Sequence, residues 1–200
     1  MMNKPLICVA AVVAALGGGQ VLAQESPWLV RLRAVQLDMA NENSTGVVGL
    51  GANNKIIGEL DISYFWTPNW AAELVLTVPQ RQIVRAESGD LGGFTHLPPT
   101  LTFQYHWTGL DGFKPYLGLG VNYTKITGVN VADGQYTLDS SSTGGALQVG
   151  VDFPLDKKWF LNVDLKKVYI RTDVVTAAGV NAGTLKLDPT FFGVGLGYRF

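Results

Sequence analysis

The sequence predicts an all-β fold: an eight-stranded antiparallel transmembrane β-barrel with short periplasmic turns and long extracellular loops. Three observations predict it. Apolar residues fall on every second position in eight separate segments, short and long connections alternate between those segments, and all five tryptophans gather at the short-connection end. A strand turns successive side chains to opposite faces, so each segment offers one apolar strip and one mixed strip.

The chain of 200 residues holds 24 glycines and only 16% charged residues, which leans away from an ordinary helical protein. MMNK precedes an apolar run from Leu6 to Leu16, and Val21-Leu22-Ala23 offers small residues where a signal peptidase cuts. Residues 1–23 are therefore expected to be a secretory signal peptide, too short to span a membrane, and residues 24–200, from Gln24 onward, the outer-membrane β-barrel domain. Cys8 is the one cysteine and lies in that leader, which excludes disulfide and thiol chemistry from the mature chain. Taking Lys4 from the 15 basic residues leaves 14 against 16 acidic ones with no basic run, so nucleic acid is not an expected partner. No later apolar stretch approaches the ~20 residues of a transmembrane helix, so a membrane crossing must be made by strands.

The elements follow in order. WLVRLRAVQL sets Trp28, Val30, Leu32 and Ala34 against Arg31 and Arg33, and KIIGELDISYF sets Ile56, Leu60, Ile62 and Tyr64 against Glu59, Asp61 and Ser63. AAELVLTV opposes Ala72, Leu74, Leu76 and Val78 to Glu73, Val75 and Thr77; TLTFQYHW opposes Leu101, Phe103, Tyr105 and Trp107 to Thr102, Gln104 and His106. PYLGLGVNY and ALQVGVDF repeat the scheme, with Gln148, Gly150 and Asp152 on the mixed face of the latter. WFLNVDLKKVYI carries Asn162, Asp164 and Lys166 on that face, and its phase blurs at Lys167, where an interface or a bulge is expected. FFGVGLGYRF closes the chain with Phe192, Val194, Leu196, Tyr198 and Phe200 on one strip. Each segment has about the 9 to 11 residues that a tilted strand needs to cross a bilayer.

Three connections are short and carry turn residues: Trp66 to Trp70, Thr108 to Lys114 and Pro154 to Lys158. Four are long and polar, roughly 38–54, 80–96, 125–143 and 171–188, and are expected to be loops. Trp28, Trp66, Trp70, Trp107 and Trp159 all map to the short-turn end, as an aromatic girdle would, with Tyr123, Tyr169 and Phe192 at the other interface. A soluble secreted β-sandwich also alternates with period two, but it accounts for neither the tryptophan clustering nor the charges opposite the apolar strip.

The stretches PWLVRLRAVQL, ISYFWTPNWAAELVLTVP, LPPTLTFQYHW, KPYLGLGVNYT, KKVYIRT with DVV, and LDPTFFGVGLGYRF resemble the OmpW family of small outer-membrane barrels, which includes proteins linked to uptake of alkanes. The resemblance spans nearly the whole mature chain. It implies a narrow, largely apolar conduit in the bacterial outer membrane, open outward and closed toward the periplasm, with cargo leaving sideways into the membrane. The terminal Phe200 resembles the signal read by the barrel-insertion machinery.

The inward faces carry the candidate site. Arg31, Asp61, Glu73, Asp152 and Arg199 fall near the short-turn end, with Arg33, Glu59, Asp164 and Lys166 further up. Charges confined in so narrow a lumen are tolerable only when paired, so a salt-bridged plug is expected, whether it blocks passage or simply holds the barrel together. Val35, Leu37, Ile57, Val75, Val168, Ile170 and Phe191 make the outer half of the lumen apolar. A dry pocket and a plain packed core predict the same list. Pro79, Pro98 and Pro99 fall at similar height on neighbouring strands and donate no ladder hydrogen bond. They suggest a weakened lateral seam, although prolines more commonly just shape a loop entry.

His96, placed in a loop, and His106, placed in the lumen, lack a ligand cluster for a metal, and no cofactor is expected. A lipid-modifying enzyme built on His96 with Ser88 or a serine of the third long connection lacks an orienting group and an oxyanion hole, so no enzyme is expected. The expectation is a monomeric channel for small hydrophobic molecules, with outer-membrane lipids, those solutes and the insertion machinery as partners. The rival is a non-transporting surface barrel that serves as an adhesion, phage or toxin receptor or a structural protein.

Overall fold

Alternating side chains along the eight segments produce eight strands that close on themselves. The computed structural model describes residues 26–200; the expected signal peptide, with Cys8, and the expected mature start at Gln24 lie outside the described residues. The strands are β1 (Trp28–Asp38), β2 (Glu42–Asn43), β3 (Gly51–Ala52), β4 (Lys55–Phe65), β5 (Trp70–Thr77), β6 (Gln80–Ala86), β7 (Gly89–Leu97), β8 (Thr100–His106), β9 (Lys114–Val131), β10 (Tyr136–Leu138), β11 (Ser141–Pro154), β12 (Trp159–Val168), β13 (Arg171–Thr176), β14 (Asn181–Lys186) and β15 (Thr190–Arg199). Hydrogen bonding runs β11-β12-β15-β1-β4-β5-β8-β9, and β9 pairs back to β11, so the eight staves leave no free edge. Every pairing is antiparallel, with β1 in register as Arg31↔Asp61 and Arg33↔Glu59 on one side and Arg31↔Gly197 and Arg33↔Gly195 on the other.

The barrel is inside-out across these staves. Leu32 is 65% exposed between Arg31 at 0% and Arg33 at 2%. Leu119, Val121, Val149 and Leu165 likewise face outward, while Gln104, Asn122, Gln148 and Asp164 are buried within. The five tryptophans stand at the short-turn end and pack in a ring of aromatic contacts, including Trp28 on Tyr64 at 4.8 Å and Trp159 on Tyr198 at 5.0 Å. The Pro154–Lys158 turn is closed by Asp156, whose carboxylate accepts the amides of Lys158 and Trp159 at 2.7 and 2.8 Å. Those two amides hold that carboxyl below the usual range.

The long connections correct the sequence reading. Much of the chain expected as polar loops is strand: β6 and β7 form a hairpin above β5 and β8, β9 runs on for 18 residues, and β10, β13 and β14 extend the wall further. A length of 18 residues is well beyond what a bilayer crossing needs, so the upper part of β9 stands outside it. Here the polarity reverses. Arg81 and Arg85 face out while Val84, Phe94, Ile126, Val131, Val174 and Leu185 turn inward to form an apolar core, as in a water-soluble protein. His96, expected in a loop, is an inward residue of β7 at 1% exposure. Lys167 is an interface residue without a bulge: the β11–β12 register runs unbroken past it, and its ammonium donates to the Asp188 carbonyl and to Thr190 Oγ1 at 3.3 Å.

Glycine opposite a large inward residue is a packing requirement. A Cβ on Gly195 meets the Leu32 carbonyl oxygen at 2.1 Å and Arg33 Cα at 2.7 Å, and one on Gly150 meets the Tyr116 ring at 2.3 Å. Gly195→Val should therefore sharply reduce the fraction of protein that migrates as the compact folded band in an unheated detergent gel. A variant that keeps the wild-type fraction contradicts this role.

Candidate functional site

Two arginines on one strand organise the lower lumen. Arg31 and Arg33 are two residues apart on β1, so both project inward, over a β15 reduced to glycine at Gly193, Gly195 and Gly197. Arg31 binds Asp152 at 2.7 Å and Asp61 at 3.1 Å and donates to Ser63 Oγ at 3.0 Å. Arg33 reaches Asp61 at 2.6 Å, Glu73 at 2.9 Å, Glu59 at 3.1 Å and Asp164 at 3.3 Å. Lys166 closes the upper side on Glu59 at 3.2 Å. One guanidinium thus bridges carboxylates from three strands, β4, β5 and β12.

Five carboxylates surround three cations, and neutral donors take up the remaining oxygens. Glu73 Oε2 accepts from Thr102, Gln104 and Gln148 at 3.1, 2.7 and 2.8 Å, while Asp164 accepts from Tyr116 and Gln148 at 2.7 and 2.8 Å. Asn162 donates to Asp152 at 2.8 Å, and His106 meets Gln104 at 2.9 Å and stacks on Tyr116. The sequence reading counts only the ionic members in the plug and leaves Ser63, Thr102, Gln104, Tyr116, Gln148 and Asn162 as inward residues without a role. Their inward phase was legible, but only the contacts show that they bind the carboxylates.

Arg199 stands apart from this network. It is half-buried at the periplasmic mouth, donating to the Ser26 carbonyl at 2.9 Å and lying 4.5 Å over the Phe65 ring. That mouth is a cavity of about 390 Å³ walled by Phe65, His106, Lys114 and Phe160, with Asp152 at its inner end.

All seven residues expected in the outer lumen are buried. Val35, Leu37, Ile57, Val168, Ile170 and Phe191 belong to one apolar cluster, whereas Val75 lies lower, cross-strand from Asp61 and Thr100. The open space is further out, a cavity of about 60 Å³ lined by Val47, Leu50, Val84, Leu91, Tyr136 and Leu185, and none of the seven lines it. Its residues come from the segments expected as loops. The sequence reading missed them for that reason.

The prolines mark a break in the wall. The β5–β8 ladder ends at Val75↔Thr100, and pairing resumes at Gln80↔His96 in the β6–β7 hairpin, with Pro79, Pro98 and Pro99 in the interruption. On the neighbouring side, the β4–β5 ladder ends at Glu59↔Thr77 and the next backbone bond is Asn53 N–H to the Ile83 carbonyl. Strand β9 runs past the break and stays bound to β7 above it and β8 below it. Ser88 lies at the β6–β7 tip and His96 eight residues away down β7, roughly 25 Å along a strand, so the two are not brought together.

A closed barrel with apolar residues outside, an aromatic belt at the short-turn end and ions within is an outer-membrane protein. The chain belongs to the OmpW family, whose model matches residues 18–200. It is 41% identical over 90% of its length to an uncharacterized outer-membrane protein, y4mB, of Sinorhizobium fredii, covering 82% of that protein. Outer membrane protein W of Vibrio cholerae is 32% identical, with 98% of this chain and 100% of that protein aligned. The dibenzothiophene metabolism operon protein PahQ of Pseudomonas aeruginosa is 28% identical, with 98% and 95% aligned. The crystal structure of OprG from Pseudomonas aeruginosa superposes with a TM-score of 0.76 at 26% identity, covering 88% of this chain and 97% of that one.

Removing one member of a buried ionic network costs about 3–5 kcal/mol, because its partners stay buried and unpaired, whereas an exposed pair contributes roughly 0–1 kcal/mol. Arg33→Met should therefore lower the urea midpoint of the barrel in lipid far more than Arg85→Ala, which breaks a pair with Asp90 that is more than half exposed on both sides. Equal midpoints for the two variants contradict the assigned network.

Proposed function

We propose that this barrel admits small hydrophobic molecules from the cell exterior and releases them sideways into the outer membrane. The observation that carries the reading is the change of the lumen along its axis. Apolar side chains and a narrow apolar cavity lie above, an ionic network that would strongly disfavour an apolar solute lies below, and the wall is interrupted between them at Pro79, Pro98 and Pro99. A hydrocarbon entering from above meets a desolvation barrier beneath it and a gap in the hydrogen-bond ladder beside it. The kinship to a protein named for an operon of dibenzothiophene metabolism, an apolar fused-ring compound, supports the same cargo class. The reading includes a signal peptide over residues 1–23, a mature barrel from residue 24 that works as a monomer, and no catalysis.

One observation favours the rival surface-barrel reading, in which the loops bind a host factor, phage or toxin. Among the described residues the upper lumen is packed, and the cavity within it holds about 60 Å³. Transport then requires the apolar side chains to yield to the solute, which a close-packed interior resists.

The two readings separate on uptake. Cells carrying the gene should take up dibenzothiophene faster than cells lacking it, and equal rates contradict transport. Replacing Pro98 and Pro99 together by Thr adds a backbone N–H on each side of the strand, the one at position 98 toward the break and the one at 99 toward β9, and should lower that rate several-fold while the folded band persists. An unchanged rate removes the lateral exit.

A further inference from the structure

The periplasmic mouth is a cavity of its own, separated from the upper lumen by the ionic network. Its apolar wall belongs to a second buried cluster, of which Leu29, Phe65 and Phe160 line the cavity. The His106 ring, packed edge-on against Phe65 and stacked on Tyr116, completes that wall. A volume of about 390 Å³ falls in the range of small-molecule sites, roughly 300–1,000 Å³. Asp152, paired with Arg31, closes the inner end, so the cavity opens to the periplasm.

One cation in this wall has lost its natural acid. Lys114 of β9 stands directly across from Asp152 of β11 in register, the position of a cross-strand ion pair. Arg31 takes that carboxylate instead: its Nε and Nη2 reach the two Asp152 oxygens at 3.1 and 2.7 Å, and Asn162 adds a third bond at 2.8 Å. The half-buried Lys114 ammonium lies 5.3 Å over the centroid of the Phe160 ring, and among the described residues no carboxylate is within ion-pair reach of it. Asp111 and Asp156, acids of the adjoining turns, are exposed and do not line the cavity. Arg199, held by the Ser26 carbonyl and the Phe65 face, adds a second positive charge to the wall.

An ammonium beside an apolar, aromatic wall suits a ligand with both characters. A carboxylate gives Lys114 the partner that Asp152 does not, and an apolar body covers Phe65 and Phe160. A neutral hydrocarbon buries the ammonium without a partner, and a small hydrophilic anion leaves the rings in water. We propose that the periplasmic mouth binds apolar molecules that carry one carboxylate, bicyclic aromatic acids among them, with the carboxylate on Lys114 and the rings against Phe65 and Phe160. This site is distinct from the outer cavity, and it stands whether or not the barrel transports hydrocarbons.

The test uses the whole barrel in lipid nanodiscs, with 2-naphthoate, its methyl ester and acetate as probes. Leu29 lines the mouth and Leu50 the outer cavity, so their methyl resonances tell the two sites apart. In the wild type, 2-naphthoate should move the Leu29 methyls saturably and leave Leu50 fixed, while the ester and acetate leave Leu29 nearly unmoved. Lys114→Met keeps the stem and removes the charge, and should weaken 2-naphthoate binding by about tenfold, the order set by one charge-assisted hydrogen bond. Lys114→Arg should retain it. Folding of each variant is checked by the heat-modifiable band, and the probe series on the wild type decides the matter alone if Lys114→Met does not fold. Leu29 methyls indifferent to 2-naphthoate, or moved as readily by the ester or by acetate, overturn the proposal. So does an unchanged affinity in folded Lys114→Met.

Discussion

The Arg33 guanidinium, shared among Glu59, Asp61, Glu73 and Asp164, is the interaction on which the rest of the lower barrel depends. Taking ions out of water costs several kcal/mol each, and in a lipid-embedded stave no solvent reaches them from outside. The cost is offset only if every partner arrives at one height from different strands. That demand fixes the register of β1 against β4, in which Arg31 faces Asp61 and Arg33 faces Glu59. It also accounts for the glycines of β15, since a side chain at Gly195 would occupy the space through which Arg33 crosses the lumen.

A second constraint follows from the solvent around the barrel. Where lipid surrounds it, apolar residues belong outside and the lumen must gather the polar ones; where water surrounds it, the preference reverses. The same strands obey both rules. Thr124 of β9 is inward and polar, the next inward residue, Ile126, is apolar, and Lys125 between them faces out. The three prolines sit near this crossover, where β5 and β8 give way to β6 and β7. A ladder interruption at that height lies between an apolar interior and the lipid outside.

The staves were legible in the sequence because a bilayer enforces strict alternation over about ten residues, and the WLVRLRAVQL and FFGVGLGYRF segments show it without interruption. The ionic residues were legible for the same reason: a charge in phase with the lumen has nowhere else to go. The extracellular wall was not. In QRQIVRA the outward residues are Arg81, Ile83 and Arg85 and the inward ones Gln80, Gln82 and Val84, so both faces mix polar and apolar groups and the pattern reads as a loop. Its identity as strand comes from pairing with β7 and from the apolar core it helps to close, which are long-range facts. For the same reason the sequence located the apolar outer lumen at Val35, Leu37 and Ile57, one level below the open cavity.

The account turns on which apolar side chains meet lipid and which meet one another. Methyl groups report this in the unmodified protein, through nuclear Overhauser contacts with lipid acyl chains in nanodiscs. Leu117, Leu119, Val121, Leu147 and Val149 should show strong acyl-chain contacts, and Val35, Leu37, Ile57 and Val168 should show none. Acyl-chain contacts at the second set with none at the first would contradict the inside-out barrel.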